Sequence, residues 1–232
     1  MFDEEPWNQD DVVSLVVAGR VVDYAFNEVS NYLDKHFRTF RECDLRAGHW
    51  LTLSEAAIAT TRRPFLNSRI SRRESLELRA LAETADWDLV TVKDRLVDAD
   101  PLEVDGLYDR GDALYRHFLN GVGPGISVGK IHKILYVMRP HFFPILDSRL
   151  RRVYSGVARR RARHLREVHG RRGAHHGYWA VIRDDLVANA EGIAIIRDQM
   201  SEVEGEMLSE IGGISDVRLL DMVAWQINPD VA

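Results

Sequence analysis

Apolar residues recur along this chain at steps of three and four, the spacing of one face of an α-helix. The clearest run is Val22, Phe26, Val29, Leu33 and Phe37. The spacing returns in Ile131, Ile134, Leu135 and Met138, then in Ile182, Leu186, Ala190 and Ile193 through Arg197 to Met200. Val217, Leu220, Ala224 and Ile227 repeat it near the C-terminus. Ser54–Ala59 reads as a short helix stopped by Arg62-Arg63-Pro64, and a further helix runs from about Ser71 to Thr84. Val12–Val17 fits a strand or a buried helix equally, with Asp10 or Asp11 as the cap in the second case. Gly121-Val122-Gly123-Pro124-Gly125 is the densest turn signal, and Pro140 and Pro144 bracket a piece that cannot be helix interior. Gly170, Gly173 and Gly212-Gly213 divide the rest. The expectation is an all-α fold of about eight to ten helices, built as a single domain over 1–232.

Composition narrows the class. With 232 residues, 45% hydrophobic and 29% charged, the chain can bury a core and is neither disordered nor fibrous. No apolar run approaches the roughly 18–20 residues that span a bilayer. The opening Met1-Phe2-Asp3-Glu4-Glu5 is acidic where a signal peptide is basic, so a cytoplasmic, non-membrane protein is expected. The single cysteine, Cys43, excludes an internal disulfide, a cysteine zinc site and a protein-ligated iron–sulfur cluster.

The net charge of −5 hides a division. Between Arg149 and His176 stand ten arginines and one acid, Glu167, so the segment 149–176 carries +9 and the remainder −14. Only four of the 31 basic residues are lysines. A high genomic G+C content and a use for bidentate phosphate contacts both produce that bias. The clustering on an otherwise acidic chain is the electrostatic footprint of a nucleic-acid binder, against the plainer reading of a solvated helix face.

The segment 121–154 carries the most chemistry. A glycine-rich turn opens a helix over Val128–Met138, and the first amides of such a helix are unpaired donors suited to an anion. Lys130 and Lys133 stand on its first turns. Asp147 follows an apolar approach, Phe142–Leu146, and opens a basic helix, Ser148-Arg149-Leu150-Arg151-Arg152. Phe142–Leu146 reads as core more readily than as a base-stacking platform. A P-loop is rejected: Gly123 leaves five residues before Gly129-Lys130, Gly125 leaves three, and Ile131 replaces the required Ser or Thr.

Gly125-Ile126-Ser127-Val128-Gly129-Lys130-Ile131, followed by Phe143-Pro144-Ile145-Leu146-Asp147-Ser148-Arg149-Leu150-Arg151-Arg152-Val153, resembles the signature of helix-hairpin-helix DNA glycosylases. The endonuclease III and adenine-mismatch branch is nearest in pattern, and the resemblance covers about 35 residues. It implies a helical glycosylase-like fold and double-stranded DNA as the partner, bound by a monomer that is nucleoid-associated when on DNA. It implies Asp147 as the catalytic carboxylate. The hairpin at Gly125, Ser127, Gly129, Lys130 and Lys133 would hold phosphate, with Arg149, Arg151, Arg152, Arg159, Arg160 and Arg161 neutralising its neighbours. Pro64–Ser71 is similar to the pocket-lining segment, which puts Asn67, Ser68 and Arg69 at the base pocket or wedge, against a plainer reading as caps and surface charge. Ser127 stands where the motif has its second glycine and is expected to weaken the grip on phosphate. Gly129 stands where bifunctional members carry a Schiff-base lysine, and Lys130 is turned about 100° away. The expected activity is therefore a monofunctional glycosylase without an iron–sulfur cluster or other cofactor.

Two plainer readings stay beside it. An aspartate at Asp147 is a good helix N-cap, and a non-catalytic hairpin module would show the same charge. An RNA binder rests on the same arginines. His164, His169, His175 and His176 lack cysteine and any carboxylate nearby except Glu167, so no metal site is expected.

Overall fold

The computed structural model describes residues 12–62, 70–171, 173–202 and 213–229. Among them are ten α-helices: α1 (Ala25–Arg46), α2 (Glu55–Arg62), α3 (Arg72–Thr84), α4 (Leu107–Gly121), α5 (Val128–Met138), α6 (Ser148–Val153), α7 (Ser155–His169), α8 (Ala174–Ala188), α9 (Ala190–Glu202) and α10 (Asp216–Gln226). Two single-turn 3-10 helices, Trp87–Leu89 and Leu96–Asp98, lie between α3 and α4. The all-α expectation holds, and serines set several helix starts. Ser71 accepts from Glu74 N while Glu74 accepts from Ser71 N, a capping box that fixes the start of α3. Ser127 and Ser215 cap α5 and α10 through Lys130 N and Arg218 N.

The buried apolar side chains form one connected cluster. Every residue of α5 from Ile131 to Met138 is buried, so this helix is enclosed rather than laid on a surface. Trp179 of α8 packs edge-on against Tyr108, Tyr115, Phe142 and Phe143, with ring centroids 5.4–6.0 Å apart. The buried Phe142, Phe143, Ile145 and Leu146 make the Phe142–Leu146 run core. Its burial holds the chain leading into Asp147 in place.

The Val12–Val17 stretch is in fact one arm of a hairpin. β1 (Leu15–Val17) pairs antiparallel with β2 (Arg20–Val22) through the turn Ala18-Gly19, both at positive φ. Asp10 and Asp11 lie outside the described residues. Because Val22 belongs to β2, the first helix begins at Ala25. The run from Ile182 to Met200 is also two helices rather than one. At the break, the Asn189 side chain bonds both Val16 N and Val16 O at 2.7 Å and also donates to Asp185 O at 2.6 Å. Asp185 accepts from Ala18 N at 2.8 Å. The end of α8 thus serves as the partner of the β1 edge.

A buried polar knot ties α1, α5 and α10. Arg218 grips Asp44 with two bonds, Nε to Oδ1 at 3.0 Å and Nη2 to Oδ2 at 3.2 Å. Tyr136 donates to Asp44 Oδ1 at 2.8 Å, and Tyr32 accepts from Arg218 at 3.0 Å.

Candidate functional site

α4 and α5 are joined by the turn 122–127. Gly125 takes φ +104°, a conformation that side-chain-bearing residues rarely adopt. Ser127 is extended at φ −79° and caps α5. The left-handed position therefore falls on Gly125, and Ser127 strains nothing; it closes one amide, Lys130 N, as a helix cap does.

α3 holds this turn by three side chains. Glu77 accepts from Gly123 N, Arg73 donates to Pro124 O at 2.8 Å, and Glu74 pairs with the Lys130 ammonium at 2.7 Å. Lys130 Nζ also donates to Gly125 O at 3.1 Å. Burial works against the Glu74 charge, but the bonds from Lys130 and Ser71 outweigh it and hold its carboxyl below the usual range. Lys130 thus braces the hairpin from inside. Lys133 is 4% exposed, which puts a surface phosphate contact out of its reach. Burial pushes its ammonium down to about 8, against the opposing pull of the Asp147 charge.

Hairpin and aspartate form one packed unit. A Cβ on Gly129 would lie 3.4 Å from Leu146 O and 3.8 Å from Asp147 Cα, so the first turn of α5 rests on the aspartate's own backbone. Asp147 is half-buried and caps α6, its Oδ1 accepting from Arg149 N at 2.8 Å and Leu150 N at 3.0 Å. Behind it, Asp221 of α10 accepts from Ile145 N at 3.1 Å and tethers the approach. A cavity of about 240 Å³ opens beside the hairpin, lined by Val128, Leu146, Arg116, Arg151, His175 and Tyr178. Asp147 is not among its lining residues.

Asp221 gives this support a pH signature. Burial pushes its carboxyl up to about 8, with Arg218 pulling the other way. The unfolded chain loses that proton near 4, so the folded state holds an extra proton between about pH 4 and 8. Stability from this group is therefore lost as pH rises through that window. Below about pH 6.5 the buried His132 and His176, both depressed, act in the opposite sense. Between about pH 6.5 and 8 the melting temperature should fall in the native chain and stay flatter in Asp221→Asn, as differential scanning calorimetry would record.

The arginine segment divides by its partners. Arg151, Arg152, Arg159, Arg160, Arg163 and Arg166 are exposed on α6 and α7. Arg149 donates to Trp225 O and lies 4.6 Å over the Trp225 ring. Arg161 pairs with Asp184 at 3.2 Å, and Arg171 pairs with Asp109. Asn67, Ser68, Arg69 and Arg172 lie outside the described residues.

The structure also assembles a cluster the sequence kept apart. Asp112 of α4 meets His175 and His176 at the start of α8, with one ligand atom of each within 4.8 Å of the others. His175 Nε2 lies 2.6 Å from Asp112 Oδ1, and His176 Nε2 lies 3.6 Å from it. The missing carboxylate stands 63 positions before His175, beyond any local spacing rule. His164 is exposed and His169 half-exposed on α7, and neither belongs to this group.

No helix among the described residues is long and apolar enough to cross a membrane. Residues 21–228 match the model of a family described as one of unknown function. No curated protein and no solved structure matches the chain.

Proposed function

The chain belongs to that family, DUF6308, and we propose that it is a monofunctional DNA N-glycosylase of the helix-hairpin-helix class. The observation that carries this reading is the packing of Gly129 against Asp147, which fixes a half-buried carboxylate beside the glycine turn that opens α5. In this reading the free amides at the start of α5 hold the backbone phosphate next to the target nucleotide. The exposed arginines of α6 and α7 neutralise neighbouring phosphates, and the target base leaves the stack. Asp147 then stabilises the positive charge that builds on the deoxyribose as the N-glycosidic bond lengthens, and orients the attacking water. The excised base is damaged, mismatched or enzymatically modified; the last would make the role defence against phage DNA rather than repair. Mass spectrometry of free bases released from varied genomic DNAs, phage DNA with modified bases included, tests the activity and names the base.

One observation favours a second reading. Asp147 Oδ1 is turned onto two amides of its own helix, as in a plain N-cap, which suits a non-catalytic DNA-binding module. No base release from any DNA, with duplex binding intact, would decide for that module. Preference for RNA over duplex DNA in competition would decide against both.

Binding should depend on salt and on a subset of the arginines. Arg159→Ala and Arg160→Ala should weaken binding about equally across sequences and each lower the salt slope by about one. Arg161→Ala should do less, because Asp184 already engages that guanidinium. Fluorescence anisotropy across a salt series measures both. Binding indifferent to salt and to all three changes would refute a backbone-contacting role.

The abasic site should be left intact. Strand cleavage requires an amine that attacks the sugar carbon to form a Schiff base. The position facing Asp147 is Gly129, and the Lys130 amine is engaged by Glu74 and Gly125 O. Borohydride should trap no adduct, and strand breaks should appear only after alkali. An adduct lost in Lys130→Ala would overturn the monofunctional assignment.

A further inference from the structure

We propose that Asp112, His175 and His176 form a binding site for a divalent first-row transition ion, held by two imidazoles and one carboxylate. The three residues bring one ligand atom each to within 4.8 Å of the others, from two helices. Two nitrogens and one oxygen suit zinc, iron(II) or manganese, and three protein ligands leave coordination positions open. The backbone is shaped for this convergence. Gly173 takes φ +129°, and a Cβ there would stand 2.6 Å from His175 Cε1, so the His175 ring folds back into the protein only because residue 173 has no side chain. The ring is then walled by Tyr115 at 4.5 Å and Trp179 at 5.1 Å between centroids. His176 is held by its own carbonyl, which accepts from the Tyr108 hydroxyl at 2.7 Å.

A second observation points to a ligand. His176 is 1% exposed, and its Nδ1 is buried with no hydrogen-bond partner. An unpartnered buried imidazole nitrogen is costly, and an ion supplies its partner when His176 binds through Nδ1 rather than through the Nε2 that lies 3.6 Å from Asp112. The surrounding charges permit an ion. Arg116 takes Asp112 Oδ2 at 2.7 Å and leaves Oδ1 to face the histidines. Arg171 is paired with Asp109, and Arg151, which lines the same cavity as His175, is exposed to solvent. An entering ion displaces the proton that His175 Nε2 shares with Asp112 Oδ1. His175 and Arg116 also line the cavity of about 240 Å³, so the open positions can face solvent or an anionic ligand there.

The test uses the full, tag-free chain after treatment with a chelator. Titration with Co²⁺, followed by visible absorption and calorimetry, should show one ion per chain, and Zn²⁺ should displace it and raise the melting temperature. X-ray absorption of the zinc form should give two imidazoles and one carboxylate. Asp112→Asn and His176→Gln should lose the cobalt band, while the surface double change His164→Ala, His169→Ala should keep it. Absence of binding by the folded native chain would overturn the site. So would an absorption spectrum lacking two imidazoles, or binding removed by the surface pair. The native-chain measurements decide the matter even if a buried variant fails to fold.

Discussion

Asp147→Asn should reduce base release by at least about 100-fold, some 2.7 kcal/mol of transition-state stabilisation, while duplex binding stays the same or tightens slightly. The substitution is clean for a structural reason. Asp147 caps α6 through one oxygen, Oδ1, and an asparagine keeps an oxygen there for Arg149 N and Leu150 N. The helix start survives, the contact with Gly129 survives, and only the negative charge that the proposed mechanism sets against the sugar is gone. Slight tightening follows from removing a carboxylate that repels phosphate. Single-turnover release of free base, read with anisotropy on the same DNA, separates the two effects. Release at the native rate would mean that Asp147 is a cap and nothing more. Wherever native release is absent too, the binding-module reading takes its place.

Asp44→Ala should be the most damaging single change to the fold. It removes the carboxylate that holds Arg218 by two bonds and also accepts from Tyr136, in a place where the Arg218 side chain is 3% exposed. The guanidinium is then left charged inside the protein, which costs about 3–5 kcal/mol. Whole domains are stable by about 5–15 kcal/mol, so much of the margin would go. Urea unfolding should show a large drop in midpoint. Asp44→Asn should do less harm, because its oxygen still receives the Tyr136 and Arg218 donors. In the double change Asp44→Ala, Arg218→Met the loss should be smaller than in Asp44→Ala alone, since no charge is stranded. If the two single changes simply add, the pair contributes little to stability.

Much of the fold was legible because its signals are local. The starts of α3 near Ser71, of α5 after the glycine-rich turn and of α6 at Asp147 before a basic run could be read from residue order, and the caps found there act within three residues of themselves. Apolar spacing gave the helical class for the same reason. What residue order leaves open or blurs falls where a distant partner decides. The Val12–Val17 run is undecidable without Asn189 and Asp185, which bond the Val16 and Ala18 backbone from 167 or more positions away. The same Asn189 splits what spacing alone presents as one long helix.

The site divides in the same way. From residue order alone come the glycine turn, the aspartate after it and the arginines beyond, because all lie within one stretch of chain. Only the tertiary structure decided which of those charges face outward. Lys130 is turned onto Glu74 of α3, Lys133 is enclosed in the core, and Arg149, Arg161 and Arg171 have partners on other segments. It also decided that Asp112 meets His175 and His176. Sequence spacing fixes which residues share a helix face, since that follows from the backbone's own 3.6-residue turn. Which charge is buried, paired or left to solvent depends on what another helix brings up against it, and the chain's local pattern does not encode that distance.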